Sequence, residues 1–194
     1  MLNEGQRMVR ETARQFARRE LAPGAAARDR EHRFPREAIA APGELGLMGM
    51  MVPEEFGGAG VDAVAYALAV AEIAAAAGAA STIMAVHNGL VCMPLAKAGT
   101  AEQKDRFLAP LAAGRHLGCF CLTEPEAGSD AAAIRTRARR DGDRYILDGS
   151  KQLITSGGSA NTALVFAGPI RRRARRGCQP SSCRPPRPAT ASPG

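Results

Sequence analysis

Apolar side chains recur at helical spacing from the start of the chain. Val9, Ala13, Phe16, Ala17 and Leu21 fall on one side of a helix drawn from Asn3 to Leu21, and Arg and Glu occupy the other. Pro23-Gly24 is expected to end it. Phe34-Pro35 opens a second, short helix, with proline suited to a first helical position and Ile39, Leu45 and Leu47 supplying apolar contacts. Long apolar runs then predict helices from Ala63 to Gly78 and from Ser81 to Ala98. In the second of these Ser81 is the expected N-cap, Pro94 a kink and Gly99 a C-terminal stop. Thr100-Ala101-Glu102-Gln103 has the spacing of a capping box and opens a last helix that runs to about Ala113. Residues 1–115 therefore read as an all-α bundle.

The period changes at His116. Leu117 to Leu122 reads as a strand. Ile134 to Arg140 alternates Ile134, Thr136 and Ala138 with Arg135, Arg137 and Arg139, a period of two with one charged face. Asp141-Gly142 signals a hairpin turn, with Arg144 to Leu147 as the returning strand. Thr162 to Ala167 reads as a further strand. Within the bundle, between the second short helix and the helix that begins at Ala63, Val52 to Gly60 holds three glycines and a proline, which taken alone favours a connecting loop with unusual backbone angles. The expected class is α+β: a helical domain over residues 1–115, an incomplete antiparallel β-domain over 116–167, and a disordered tail over 168–194. That tail is Arg, Pro, Ser and Gly with almost no large apolar residue, too little to form a core. Its abrupt onset fits an out-of-frame reading of a GC-rich gene.

Composition changes this picture in three places. The chain of 194 residues has no Trp and only 4% aromatic residues, so its core must be built from Ala, Leu, Val, Ile and Met. Its net charge of +7 sits in the tail, which has seven Arg and no acidic residue. Removing those seven from the 26 basic residues leaves 19, against 19 acidic ones. A neutral body argues against a nucleic-acid-binding domain. The five cysteines lack metal-ligand spacing, the three histidines are scattered, and an odd cysteine count points to a reducing, cytoplasmic setting. No metal site is expected. The most apolar stretch, Ala63 to Ala80, is Ala-rich and interrupted by Glu72, so it reads as a packed helix and not a membrane span.

The candidate chemistry lies in Phe120-Cys121-Leu122-Thr123-Glu124-Pro125-Glu126-Ala127-Gly128-Ser129-Asp130, where a strand runs into a polar loop. Such a loop offers N–H groups and hydroxyls to a flavin edge or a phosphate oxygen. It can equally be a turn stabilised by its own Ser and Asp side chains. Both readings stand on these residues alone.

Three separated blocks resemble the acyl-CoA dehydrogenase family: Pro53 to Gly60; Leu122-Thr123-Glu124-Pro125 with Ala127-Gly128-Ser129-Asp130; and Gly149-Ser150-Lys151-Gln152-Leu153-Ile154-Thr155. The resemblance extends from the N-terminus to about Ala167. It implies FAD as cofactor and an acyl-CoA thioester as substrate, dehydrogenated between its α- and β-carbons as in fatty acid β-oxidation. It further implies an electron-transfer flavoprotein as redox partner and a homo-oligomer when the full domain set is present. By resemblance, Phe120 to Ser129 lies along the flavin ring, with Leu122 and Thr123 at its pyrimidine edge. Gly128 and Ser129 lie near the phosphates, Ser129 also near the thioester, and Leu153, Ile154 and Thr155 near the flavin, with Thr155 by N5. The sequence departs from the family pattern at Leu153, usually aromatic, at Glu126, where Gly is common, and at Phe120, often Tyr. The family's catalytic base is a Glu of a C-terminal helical domain, so the expectation is a truncated chain with no catalytic residue of its own; Glu124 reads as structural. Two other readings stand beside this one. The first is a non-catalytic flavin- or CoA-binding remnant or pseudogene product. The second is an interaction protein that engages nucleic acid or acidic membranes through the Arg-rich tail, which however lacks motif spacing and interleaved aromatics.

Overall fold

The computed structural model describes residues 1–36, 39, 43, 45–169 and 189–191. A helical body comes first and two small sheets follow, as the α+β expectation has it.

The first helix, α1, is longer than the sequence suggests. It runs over residues 4–30, as α-helical Glu4–Phe16, a π-helical turn Ala17–Leu21, and α-helical Ala22–Arg30. Asn3 caps it, accepting from the Gln6 N–H at 2.8 Å while Gln6 reaches back to the Asn3 N–H at 3.1 Å. Pro23-Gly24 does not end it, contrary to expectation. Proline lacks an N–H and its ring collides with the carbonyl four residues back in a regular helix. Here a wider turn immediately precedes Pro23, so the helix continues past it.

The same device recurs. Helix α2 is Ala63–Ala76, capped by Asp62, whose carboxylate accepts from the Val64 and Ala65 N–H groups at 2.9 and 2.8 Å. Helix α3, Gly78–Ala98, contains a π-helical stretch Val86–Cys92 directly before Pro94, so the expected kink is absorbed. Ser81 is not its N-cap. The chain breaks at Ala77, in extended conformation, and Ser81 Oγ instead donates to the Gly78 carbonyl at 2.8 Å inside the first turn. Gly99 ends α3 in an extended conformation. Helix α4 covers residues 101–112, with the Thr100–Gln103 capping box in place and a π turn Lys104–Leu108 before Pro110. By length and hydropathy alone α3 could cross a membrane, yet half of it is buried inside this fold. The short helix expected after Pro35 falls on residues 37, 38, 40–42 and 44, outside those described; Ile39 N–H does donate to the Pro35 carbonyl at 2.9 Å.

Two adjoining cores result. One joins α1, α2 and the front of α3 around Phe16, Leu21, Ile73, Ile83 and Met84, closed by Leu47, Met48 and Met50. Across its surface Arg14 clasps Glu72 of α2 with two hydrogen bonds, at 3.0 and 2.7 Å. The other joins the back of α3 to α4 around Val91, Cys92, Leu95, Leu108 and Leu111. Val52, at the head of the glycine-rich loop, belongs to it, and Phe120 of the first strand packs on it.

That loop turns as its composition requires. Gly57 has φ +79° and Gly60 φ +58°. Gly58 is needed for close approach: a Cβ there would lie 2.0 Å from the Val52 carbonyl oxygen, a backbone atom that cannot swing aside. Gly58→Ala is expected to destabilise the protein by about 2–3 kcal/mol, because the strain falls on a loop anchored in the core. Urea denaturation checks this; an unchanged midpoint refutes it.

The strands are β1 (Gly118–Cys121), β2 (Arg137–Asp141), β3 (Arg144–Asp148), β4 (Thr162–Val165), β5 (Gly168–Pro169) and β6 (Ala189–Ala191). The sheets are mixed and not purely antiparallel. β1 pairs with β4 in parallel, Phe120 opposite Leu164, because a long connection through the β2–β3 hairpin separates them. β2 and β3 form the expected antiparallel hairpin, with Gly142 (φ +63°) and Asp143 as its two-residue turn. Most of the segment expected to be disordered, residues 170–188 and 192–194, lies outside those described; β5 and β6 within it are short strands on β2 and β4.

Candidate cofactor site

The start of β1 is hydrogen-bonded to the helical body through His87 of α3, which is fully buried. The Gly118 N–H donates to His87 Nδ1 at 3.1 Å, and His87 Nε2 lies 3.1 Å from the Leu111 carbonyl. These partners set the neutral tautomer with the proton on Nε2. Burial pushes the imidazole pKa down to about 4 against the pull of the Leu111 carbonyl. Its neighbour Asn88 accepts from Met50 N–H at 2.9 Å and donates to the Leu47 and Met84 carbonyls at 3.0 and 3.1 Å. Two adjacent buried polar residues thus fix both the chain leading to the glycine-rich loop and the start of β1. No motif in the sequence pointed to either; the only signal is a polar pair inside an apolar helix.

From β1 the chain enters the candidate loop. Glu124 and Ala127 exchange N–H and carbonyl bonds at 3.0 and 3.2 Å, closing a tight turn around Pro125-Glu126. The Glu124 carboxylate turns inward, 4% exposed, and accepts from the N–H groups of Arg135 and Thr136. It also accepts from Lys151 Nζ at 2.7 Å, while the same ammonium donates to the Leu122 carbonyl at 2.9 Å. Burial alone would raise the Glu124 pKa. The Lys151 ammonium and the two backbone donors outweigh it and hold the carboxyl at about 2. A carboxylate so held stays ionised and fully engaged, which suits a structural pin and not a proton acceptor.

Lys151 draws the third sequence block to the second. Gln152 N–H donates to the Thr123 carbonyl at 3.0 Å, and Gln152 Nε2 to the Glu124 carbonyl at 3.2 Å. Thr123 and Gln152, the residue just before the Leu153–Thr155 stretch, therefore lie side by side. This stretch is strained: Leu153 has φ +56° and Ser156 φ +64°, conformations costing a non-glycine residue on the order of 1 kcal/mol each. Leu153 is 87% exposed, and Ile154 and Thr155 are half-buried. The Ser156 hydroxyl is buried and has no hydrogen-bond partner among the described residues.

The remaining expected residues divide. Phe120 and Leu122 are half-buried; Phe120 stacks obliquely on Phe166 with ring centres 4.9 Å apart, so it joins sheet to helices. Gly128 and Ser129 are exposed at the far end of the loop. The alternative of a self-stabilised turn is realised locally by Asp130, which accepts from the Ala132 N–H at 3.2 Å. Glu126 forms a solvent-exposed ion pair with Arg135. Lys151, which ties the blocks together, was missed as a site residue, although it lies inside one of the quoted motifs.

The order of these blocks along one continuous fold can be set against known proteins. The acyl-CoA dehydrogenase N-terminal domain matches residues 3–115, and the middle domain of the same family matches residues 119–179. The chain belongs to the acyl-CoA dehydrogenase family. The mitochondrial short-chain specific acyl-CoA dehydrogenase of Bos taurus is 48% identical over 166 residues, 86% of this chain and 40% of that protein. Among solved structures, a chain in one titled for the electron transferring flavoprotein of Acidaminococcus fermentans and flavin-based electron bifurcation superposes with a TM-score of 0.84. It is 44% identical, and the match covers 86% of this chain and 44% of that one. A glutaryl-CoA dehydrogenase of Mycobacterium smegmatis in complex with FADH2 gives 0.83 at 38% identity, covering 87% and 44%. The chain thus spans less than half the length of these relatives. The residues present fit a flavin: an orphaned buried hydroxyl at Ser156 and a strained turn at Leu153 and Ser156 flank Thr155, in the segment that Gln152 ties to Thr123.

Proposed function

We propose that this chain supplies the flavin-facing wall of an acyl-CoA dehydrogenase, an enzyme that desaturates an acyl-CoA thioester between its α- and β-carbons. The observation that carries the reading is the Gln152-to-Thr123 hydrogen bond, which joins the loop after β1 to the segment leading into Leu153–Thr155 and is backed by the Lys151–Glu124 pair. Bound FAD would supply the hydride-accepting ring. The protein's part is to orient it. Thr123 and the Leu122 backbone would meet its pyrimidine edge, Ile154 and Thr155 the opposite side, and Gly128 and Ser129 the phosphates. Ser129 would also approach the acyl-CoA thioester.

No carboxylate of this site is placed to take the α-proton, since Glu124 is committed to Lys151 and to two backbone donors. Turnover on this reading needs a base from outside these elements. Electron transfer flavoprotein is the proposed electron acceptor, assembly into a homo-oligomer the proposed quaternary state, and the cytoplasm the proposed location. The short-chain specificity in the Bos taurus protein's name favours a short acyl group.

Titrating FAD into the purified chain and following quenching of flavin fluorescence tests the reading. Saturable binding is expected. Thr123→Val is expected to weaken it about 5–10-fold, the value of one hydrogen bond of roughly 1 kcal/mol. A folded chain that binds no FAD overturns the proposal.

A further inference from the structure

β1 carries two cysteines on one face. Cys119 and Cys121 are two apart in a strand, so their side chains project to the same side, and their sulfurs lie 3.6 Å apart. Cys119 is buried and Cys121 half-buried, and neither is in a disulfide. Lys151 Nζ is anchored on the carbonyl of Leu122, the residue next to Cys121, and on the Glu124 carboxylate, and its charge acts on the outer sulfur. The two thiols therefore differ. The inner one can donate its hydrogen to the outer, and the outer one is partly open to solvent.

We propose that Cys119 and Cys121 form a peroxide-reactive thiol pair, with Cys121 as the attacking sulfur and Cys119 as the resolving one. The Cys121 thiolate attacks one oxygen of hydrogen peroxide, the O–O bond breaks, and hydroxide leaves, taking up a proton to become water. Cys121 is now a sulfenic acid. The Cys119 thiol attacks that sulfur, an S–S bond forms, and a second water departs with the Cys119 proton. Two thiols lose two electrons in all, and peroxide gains them. Cys121 has the electrostatics for its part. The hydrogen bond from Cys119 and the charge of Lys151 bring its pKa down against the effect of burial, while Cys119 is pushed up. Cys92 is the contrast: wholly buried on α3, its thiol is pushed up to about 12 and is inert.

Closing the bond moves the sulfurs from 3.6 Å to about 2.05 Å. Cα atoms two apart in a strand are about 6.6 Å apart, near the upper end of the disulfide range. The bond would compress β1 and so be readily reduced.

The test treats the native full chain with a small excess of hydrogen peroxide, quenches with iodoacetamide, and maps tryptic peptides by mass. The segment from His116 to Arg135 holds Cys119 and Cys121 and no other cysteine. The expected result is that this peptide loses two hydrogens, escapes alkylation, and is restored by dithiothreitol. With dimedone present, Cys119→Ser is expected to give an adduct on Cys121, whereas Cys121→Ser gives none on Cys119. Should either variant fail to fold, the wild-type map decides alone. The proposal is overturned if His116 to Arg135 keeps two alkylatable thiols while Cys178 or Cys183 is oxidised.

Discussion

Glu124→Ala is expected to lower stability by about 3–5 kcal/mol, the range for removing one member of a buried ion pair. The carboxylate is 4% exposed and meets Lys151 and the N–H groups of Arg135 and Thr136. Truncation leaves the ammonium with only the Leu122 carbonyl and strands the N–H donors of Arg135 and Thr136, the second of them buried. Against a typical total of about 5–15 kcal/mol, that is enough to unfold much of the chain at room temperature. The effect is also expected to centre on the β-region, because Glu124 closes the loop on the Arg135–Thr136 segment and Lys151 closes it on the Gln152–Thr155 segment. Hydrogen exchange would show protection lost around residues 117–165 before the α1–α2 core. Acid should do part of the same. The carboxyl is held near 2, below its ordinary 4.5, so its contribution is complete above about pH 4.5 and fades as pH falls toward 2. Wild-type-like urea denaturation of Glu124→Ala would show that the carboxylate is dispensable.

His87→Ala should cost about as much, roughly 3–5 kcal/mol, by leaving the Gly118 N–H and Leu111 carbonyl unpaired and opening a cavity. The pH dependence distinguishes it from Glu124. The folded imidazole titrates near 4 and the unfolded one near 6.5, so the neutral ring is the form the fold accepts. Between pH 6.5 and 4 the unfolded chain takes up a proton that the folded chain refuses, and stability falls as pH falls, by up to about 3 kcal/mol. Above pH 6.5 this group adds no slope. Urea midpoints measured across pH 4–8 are expected to drop below pH 6.5 in the wild type and to lose that portion of the slope in His87→Ala. An equal slope in both would refute the assignment.

These two residues mark the boundary of what the sequence made legible. The amphipathic face of α1, the capping box at Thr100 and the period-two stretch of β2 were readable because each depends on spacing along one element. Pro23 and Pro94 were misread because the rule for an internal proline assumes a regular helix, and the chain supplies a wider turn before each of them. Ser81 misled for a related reason: Ala77, with no capping side chain, takes the extended conformation that starts α3. The parallel pairing of β1 with β4 depends on residues more than 40 apart and leaves no local trace. At the site, Thr123 and Thr155 were reached by resemblance. The two segments that carry them are joined by Gln152 and Lys151, whose roles are set by tertiary contacts alone.

The π turns have one more consequence. A turn closed by a bond to the fifth residue holds one residue more than a turn closed to the fourth. Each of the three segments is therefore equivalent to a single-codon insertion in an otherwise regular helix. Removing one residue from Val86–Cys92 would restore regular winding and rotate everything after it by about 100° relative to everything before. Val91, Cys92 and Leu95 would swing out of the second core, and Pro94 would face an intact carbonyl. In-frame deletions are therefore expected to be tolerated at the Gly142-Asp143 hairpin turn and selected against in the middle of α3, although both positions are far from either end of the chain.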